Sequence, residues 1–239
     1  FLDQKFSPKG FFKDLILRFS KFKIDSKKYD LAVSFDRDGD RIKFSDENGK
    51  EISGDIITAL LAVNFNGPTV YSINSSRVVK EEIEKHGGRA IESRVGHSFI
   101  KKAMRENDAV FGGELSGHYY FKDFFYCDSA LFAMFSTIDL MKKEKKSLSA
   151  LIAPLLRYFA TPELNFEVQN KDLYIDKAAA AFGDAKISYK DGIKVDYPDW
   201  WFILRSSNTE DLIRLRLEAT TPELLEEKKN LVLQSLGLN

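Results

Sequence analysis

Apolar residues along this chain fall into short runs that alternate with segments of helical spacing. YDLAVSFD is an apolar run with Val and Phe, bounded by Asp30 and Asp36, and reads as a buried strand. PTVYSI, RAIESRV and DAVFGGE read the same way. Between them GDIITALLAV, SRVVKEEIEKHGG and HSFIKKAMRE carry apolar residues at helical spacing. Ser75 and Ser76 open the second of these helices and Gly87-Gly88 closes it. CDSALFAMFSTIDLMKKEKK predicts a long amphipathic helix, its basic end placed where the helix dipole favours cations. Asn48-Gly49 in DENGKEI predicts a hairpin.

The alternation changes after Pro154. PELNFEVQ reads as a strand, DLYIDKAAAAFG as a helix, and KISYKDGIKVDYPDWWFILRSS as short strands joined by turns. LIRLRLEAT alternates, and Thr221-Pro222-Glu223 opens a last helix with a threonine cap and proline in the first turn. The expectation is an α/β fold with mixed sheet, followed from about residue 157 by a smaller α+β domain. Near the start, GFFKDLILRFSKFKI predicts a helix whose Phe, Leu and Ile face packs on a sheet while its lysines snorkel outward.

Composition adds exclusions. Lysine plus arginine and aspartate plus glutamate are both 36, so no global field points to nucleic acid or an anionic membrane. No apolar run reaches the ~18 residues that span a bilayer. The single cysteine, Cys127, cannot form an internal disulfide, suits a reducing and hence cytoplasmic setting, and reads as a buried small hydrophobe. His86 reads as an exposed helix-end residue.

Four polar segments carry the candidate chemistry. In SFDRDGDRI, Asp36, Asp38 and Asp40 alternate directly after a strand. Two such charges 4 Å apart repel by about 4 kcal/mol at a surface-like dielectric, so a cation should offset them. Three readings remain open. Residues 36–47 could form a calcium loop with Glu47 at its twelfth position, although Arg41 stands where that turn needs glycine. Asp36 could be a nucleophile with Asp38 as acid. Alternatively, the loop holds a divalent ion for phosphoryl transfer, with Arg41 beside it for phosphate. In GGELSGHYYF, Glu114, Ser116 and His118 line one side of an extended, glycine-flanked loop and offer partners for sugar hydroxyls. RSSNTEDLIR puts Arg205, Ser207, Asn208, Thr209 and Arg214 in and after a turn suited to an anion. In RVGHSF, His97 stands at a helix start, positioned for acid–base work.

Together, DRDGDR, VGHSFIKKAM, GELSGH, FYCDSAL and RSSNTED, in this order, resemble the α-D-phosphohexomutase family, in its phosphomannomutase/phosphoglucomutase branch. The likeness runs from about Tyr29 to the C-terminus and implies the later part of a four-domain enzyme. Residues 1–50 would end the second domain, 51–157 form the third, sugar-binding domain, and 158–239 the fourth, phosphate-binding domain. The activity implied is interconversion of hexose 1-phosphate and hexose 6-phosphate through a phosphoserine and a bisphosphorylated sugar. Asp36, Asp38 and Asp40 would hold Mg²⁺, and Arg41 would help to bind the reacting phosphate. Glu114, Ser116 and His118 would contact the sugar, with His97 a proton-transfer group. Arg205, Ser207, Asn208 and Thr209, assisted by Arg214, would clamp the distal phosphate. The partners implied are a phosphorylated hexose and the missing N-terminal domains. Three departures stand out: Arg37 replaces a family glycine, Asp211 replaces a proline, and nothing in the chain matches the family's serine loop T-A-S-H-N-P.

Overall fold

A computed structural model of the chain describes residues 29–207 and 211–238. The GFFKDLILRFSKFKI segment, Asn208 and Thr209 lie outside them. Three strands, β1 (Leu31–Phe35), β2 (Ile42–Asp46) and β3 (Glu51–Ile52), form an antiparallel sheet whose first turn carries the aspartates. The Asn48-Gly49 turn joins the last two, with Gly49 at φ 76°. β1 is half-buried instead of buried, because it forms the edge of this small sheet. Ile42, Phe44 and Ile52 on its partners share a core with Ile57, Leu61, Phe111 and Tyr119 of the following unit.

That unit alternates strand and helix as the pattern requires. α1 (Gly54–Phe65) precedes β4 (Thr69–Ser72), α2 (Arg77–Lys85), β5 (Ala90–Ser93), α3 (His97–Glu106) and β6 (Phe111–Gly113). β7 (Tyr119–Phe121) and β8 (Cys127–Asp128) follow, then α4 (Ala130–Glu144) and the short α5 (Leu148–Ile152). The strand order is β5-β4-β6-β7-β8, with β4 parallel to β5 and β6 and the last two pairings antiparallel. α1 is apolar nearly all round and is therefore buried nearly all round. On the opposite face, α3 packs Ile100 and Met104 against Val70 and Tyr120. Cys127 is only partly buried, on the short edge strand β8, which corrects its reading as a core residue.

The last unit is α+β. β10 (Leu164–Glu167), β14 (Leu212–Ala219), β13 (Trp200–Ser206), β12 (Ile193–Asp196) and β11 (Lys186–Ser188) lie in that antiparallel order, and β9 (Phe159–Ala160) pairs with β14. α6 (Lys171–Ala181) and α7 (Pro222–Leu236) cover one face around Phe182, Phe202 and Leu215. The Thr221 side chain accepts from Leu224 N at 3.2 Å, closing the predicted cap of α7. From the sheet's other face, Trp201 and Ile203 pack on Ile73 and Val95 of the preceding unit. Among the described residues, no helix is long and apolar enough to cross a membrane.

Candidate active site

In an open parallel sheet, ligands gather where strand order reverses, beyond the carboxyl ends of the strands. Here β4 stands between β5 and β6, so its C-terminal end marks that point. The segments leaving the three strands carry Asn74, Val95 with His97, and Glu114. A cleft of about 340 Å³ opens there, closed on its far side by the last unit. Its walls include Asn74, Glu114 and Ser116 on one side and Glu163, Arg205 and Arg214 on the other. Glu114 and Ser116 of the GELSGH segment and Arg205 and Arg214 of the RSSNTEDLIR segment therefore face one space, whereas His118 does not line it. Ser207 is buried at the end of β13, its N–H donating to Leu212 O at 2.9 Å, and does not line this cleft.

Buried contacts fix each wall. Glu114 is 2% exposed; Tyr120 Oη donates to its Oε1 and Gly96 N to its Oε2 at 3.3 Å. Two donors leave a carboxylate with acceptor sites to spare. Arg205 Nε donates to Asp191 Oδ2 at 2.9 Å, and the same oxygen accepts from Val95 N at 3.0 Å. The arginine is thereby registered against the neighbouring unit. Glu163 pairs with both arginines, 3.8 Å from Arg205 Nη1 and 3.3 Å from Arg214 Nη1.

The aspartate loop and the two histidines are not among the walls of this cleft. Ile42 N donates to Gly117 O at 3.1 Å, tying the aspartate loop's exit strand to the GELSGH segment. Gly117 has φ 93°, and a Cβ there would stand 2.6 Å from Ile42 O, so the approach requires glycine. Carboxylate oxygens of Asp36, Asp38 and Asp40 lie within 4.8 Å of one another. Arg41 turns onto Asp36, with Nε 2.6 Å from Oδ2. Burial works to raise the Asp36 carboxyl, but the Arg41 N–H and guanidinium outweigh it and hold it below the usual range. Burial, then the Asp36 and Asp38 charges, push Asp40 above that range against the pull of His118. Asp40 Oδ1 is buried without a hydrogen-bond partner. Glu47 does not turn into this loop: it accepts from Ser149 N at 3.3 Å and from Ser149 Oγ, and strands, not helices, flank the turn.

His97 Nε2 lies 3.0 Å from His118 Nε2, and His118 Nδ1 lies 3.2 Å from Asp128 Oδ2. Burial and the neighbouring His97 lower the basicity of His118. Burial opposes ionisation of Asp128, but Lys101 Nζ, 2.9 Å from Oδ1, holds its carboxyl low. Sequence reading missed Asn74, Asp128, Glu163 and Asp191. Asp128 stands in the FYCDSAL segment, but nothing local to the other three marks them, since their partners are distant in sequence.

Asp211, standing where the family has proline, pairs with Lys171 at 3.5 Å, and its carbonyl accepts from Val168 N at 3.1 Å. The turn after β13 is thus tied back to β10 and the start of α6. Nothing in the structure explains Arg37.

A strand-end cleft capped by an antiparallel domain, beside an acidic loop, defines the later half of an α-D-phosphohexomutase fold. Residues 53–159 match the domain described as phosphoglucomutase/phosphomannomutase, alpha/beta/alpha domain III, and residues 163–234 its C-terminal domain. The chain belongs to the phosphoglucomutase/phosphomannomutase family. A phosphomannomutase of Methanocaldococcus jannaschii is 45% identical over 212 residues, covering 85% of this chain and 47% of that protein. A phosphoglucomutase/phosphomannomutase family protein from Burkholderia thailandensis has a TM-score of 0.78 at 29% identity, over 98% of this chain and 52% of that one. At the level of fold alone, N-acetylphosphoglucosamine mutase from Aspergillus fumigatus, solved in complex with GlcNAc-6P and magnesium, has a TM-score of 0.62 at 16% identity, over 93% and 51% of the two chains. The chain thus spans about half the length of the curated relatives it matches.

Proposed function

We propose that this chain is the sugar- and distal-phosphate-recognising part of a phosphomannomutase/phosphoglucomutase, which interconverts hexose 1-phosphate and hexose 6-phosphate. The observation that carries this reading is the single cleft lined by Glu114 and Ser116 on one wall and Arg205 and Arg214 on the other. One phosphorylated hexose bridges these walls. Its hydroxyls meet the acceptor sites that Glu114 has to spare, and its non-reacting phosphate meets Arg205 and Arg214. Binding energy at the distal end then positions the reacting end.

That end lies towards the aspartate loop. Asp36, Asp38 and Asp40 suit Mg²⁺: three hard oxygen donors lie close together, and Asp40 Oδ1 is an orphaned buried acceptor. An ion bound there neutralises phosphate charge. Arg41 supports the reacting phosphate, and the His97–His118 pair takes the proton that the sugar hydroxyl loses. In the complete reaction, phosphoserine gives its phosphoryl group to that hydroxyl, and the bisphosphate turns and returns its other phosphoryl group. No segment of these 239 residues resembles the serine loop, so the chain by itself is expected to bind but not to turn over.

Calorimetric titration with mannose and glucose phosphates, with and without Mg²⁺, tests the reading. Millimolar or tighter binding that Arg205→Ala weakens at least about tenfold is expected, the order of a lost charge-assisted contact. Undetectable binding at millimolar ligand, or an Arg205→Ala chain that binds like the parent, contradicts it.

A further inference from the structure

The two histidines and Asp128 form a chain of contacts whose hydrogen positions follow from the donor inventory. This inference rests on the proposed function only for its consequence, not for its geometry. A carboxylate accepts and never donates. Asp128 Oδ2 lies 3.2 Å from His118 Nδ1, so His118 carries its proton on Nδ1. A neutral imidazole then has a lone pair on Nε2. His97 Nε2 faces that lone pair at 3.0 Å and must donate to it. His97 Nδ1 lies 3.5 Å from the same Asp128 oxygen, so one edge of the carboxylate faces both rings. Lys101 Nζ occupies the other oxygen at 2.9 Å, which fixes which edge of the carboxylate meets the rings.

From this geometry we infer that Asp128, oriented by Lys101, is a positioning residue that sets the tautomer of His118 and, through it, which nitrogen of His97 donates. Asp128 is brought to the pair by an uncommon turn: Phe125 and Tyr126, just before it, both have positive φ, at 56° and 60°. Aromatic residues enter that region at a cost of about 1–2 kcal/mol each. The pairing of Tyr120 with Asp128 across β7 and β8 then places the carboxylate beside His118. A residue serving only to pack this edge would need neither the charge nor the second contact to lysine.

The substitution Asp128→Asn separates positioning from packing. Asparagine has one carbonyl oxygen for two donors, and the Lys101 cation takes it. Its amide N–H then faces His118 Nδ1, which must become the acceptor, and the order inverts: His118 protonated on Nε2, His97 on Nδ1. A wrong tautomer of this kind is what disables a triad histidine when its carboxylate becomes an amide.

The test is long-range ¹H–¹⁵N NMR of the histidine rings in the full 239-residue chain at neutral pH, without ligand. The chain has three histidines, and His86, with Nδ1 2.9 Å from Glu82 O, serves as an internal reference that no variant touches. Expected are Nδ1–H for His118 and Nε2–H for His97 in the parent, inversion of both in Asp128→Asn, and retention of the parental pattern in Asp128→Glu. A parental His118 protonated on Nε2 overturns the proposal whether or not any variant folds. So does an Asp128→Asn chain with unchanged tautomers. Because no sugar phosphate is added, failure of the binding experiment above leaves this result standing, and the converse also holds.

Discussion

Asp55 and Arg216, 161 positions apart, meet at 2.7 Å between Oδ2 and Nη2, and both side chains are at least nine-tenths buried. The pair joins the sheet-and-helix unit to the antiparallel unit at the base of the cleft. Asp55 Oδ2 also accepts from Ser76 N at 3.0 Å, and Arg216 Nη1 donates to Asn74 O at 2.7 Å. The ion pair thereby holds the segment leaving β4, and with it one wall of the cleft. Burial disfavours the Asp55 charge, but the Arg216 cation outweighs it and keeps the carboxyl low.

Removing one partner of such a pair strands the other charge away from water. Arg216→Met alone is expected to cost about 3–5 kcal/mol of stability, and Asp55→Leu a similar amount. The double substitution should cost well under the sum, because no charge is left uncompensated. Urea unfolding of the four chains measures the cycle. Additive losses would show that the pair contributes nothing as a pair.

Gly117→Ala tests the tie between the aspartate loop and the GELSGH segment. The methyl group would fall 2.6 Å from Ile42 O at a backbone φ of 93°. The left-handed backbone alone costs about 1–2 kcal/mol, and relief of the clash must break the Ile42–Gly117 hydrogen bond. Chemical denaturation should report a loss of at least about 2 kcal/mol, the sum of those two costs.

Glu47 gives a signed pH dependence. Burial opposes its charge, but hydrogen bonds from Ser149 and Ser147 lower its pKa to about 2. Its folded value thus lies below the unfolded one. The stabilisation is present above the unfolded value, near 4.3, and is lost as pH falls towards 2. Glu47→Gln should therefore lower the melting temperature at pH 7 and leave it nearly unchanged at pH 2. Thermal scans at the two pH values check this, and an equal loss at both would contradict it.

The aspartate loop should respond to its own charge in two directions. Asp40→Asn removes one of three mutually repelling carboxylates, so without metal the variant should be as stable as the parent or more so, by up to about 1 kcal/mol per relieved pair in a watery setting. Added Mg²⁺ should raise the parent's melting temperature and leave that of the variant unmoved. A variant stabilised by Mg²⁺ to the parent's extent would remove Asp40 from the ion's ligands.

Much of this architecture was legible in the chain because its causes are local. Val and Phe bounded by aspartates signalled β1, Ser76 and Thr221 signalled helix starts, and Asn48-Gly49 signalled a hairpin. The loops carrying Glu114 and Arg205 stood out by composition. What sequence reading missed depends on distance. Asp191 orients Arg205 only once the two units dock, and Arg216 finds Asp55 across 161 positions. Burial of edge elements is non-local in the same way, which is why β1 and Cys127 proved more exposed than their apolar surroundings suggested.

The central claim is that one ligand spans both walls of the cleft. Titration of the ¹⁵N-labelled chain with hexose 6-phosphate, followed by NMR at the Ser116 amide and the Arg205 side chain, tests it directly. The account predicts that both signals shift along one saturation curve and that inorganic phosphate moves Arg205 alone. Shifts on one wall only, or two independent curves, would contradict it.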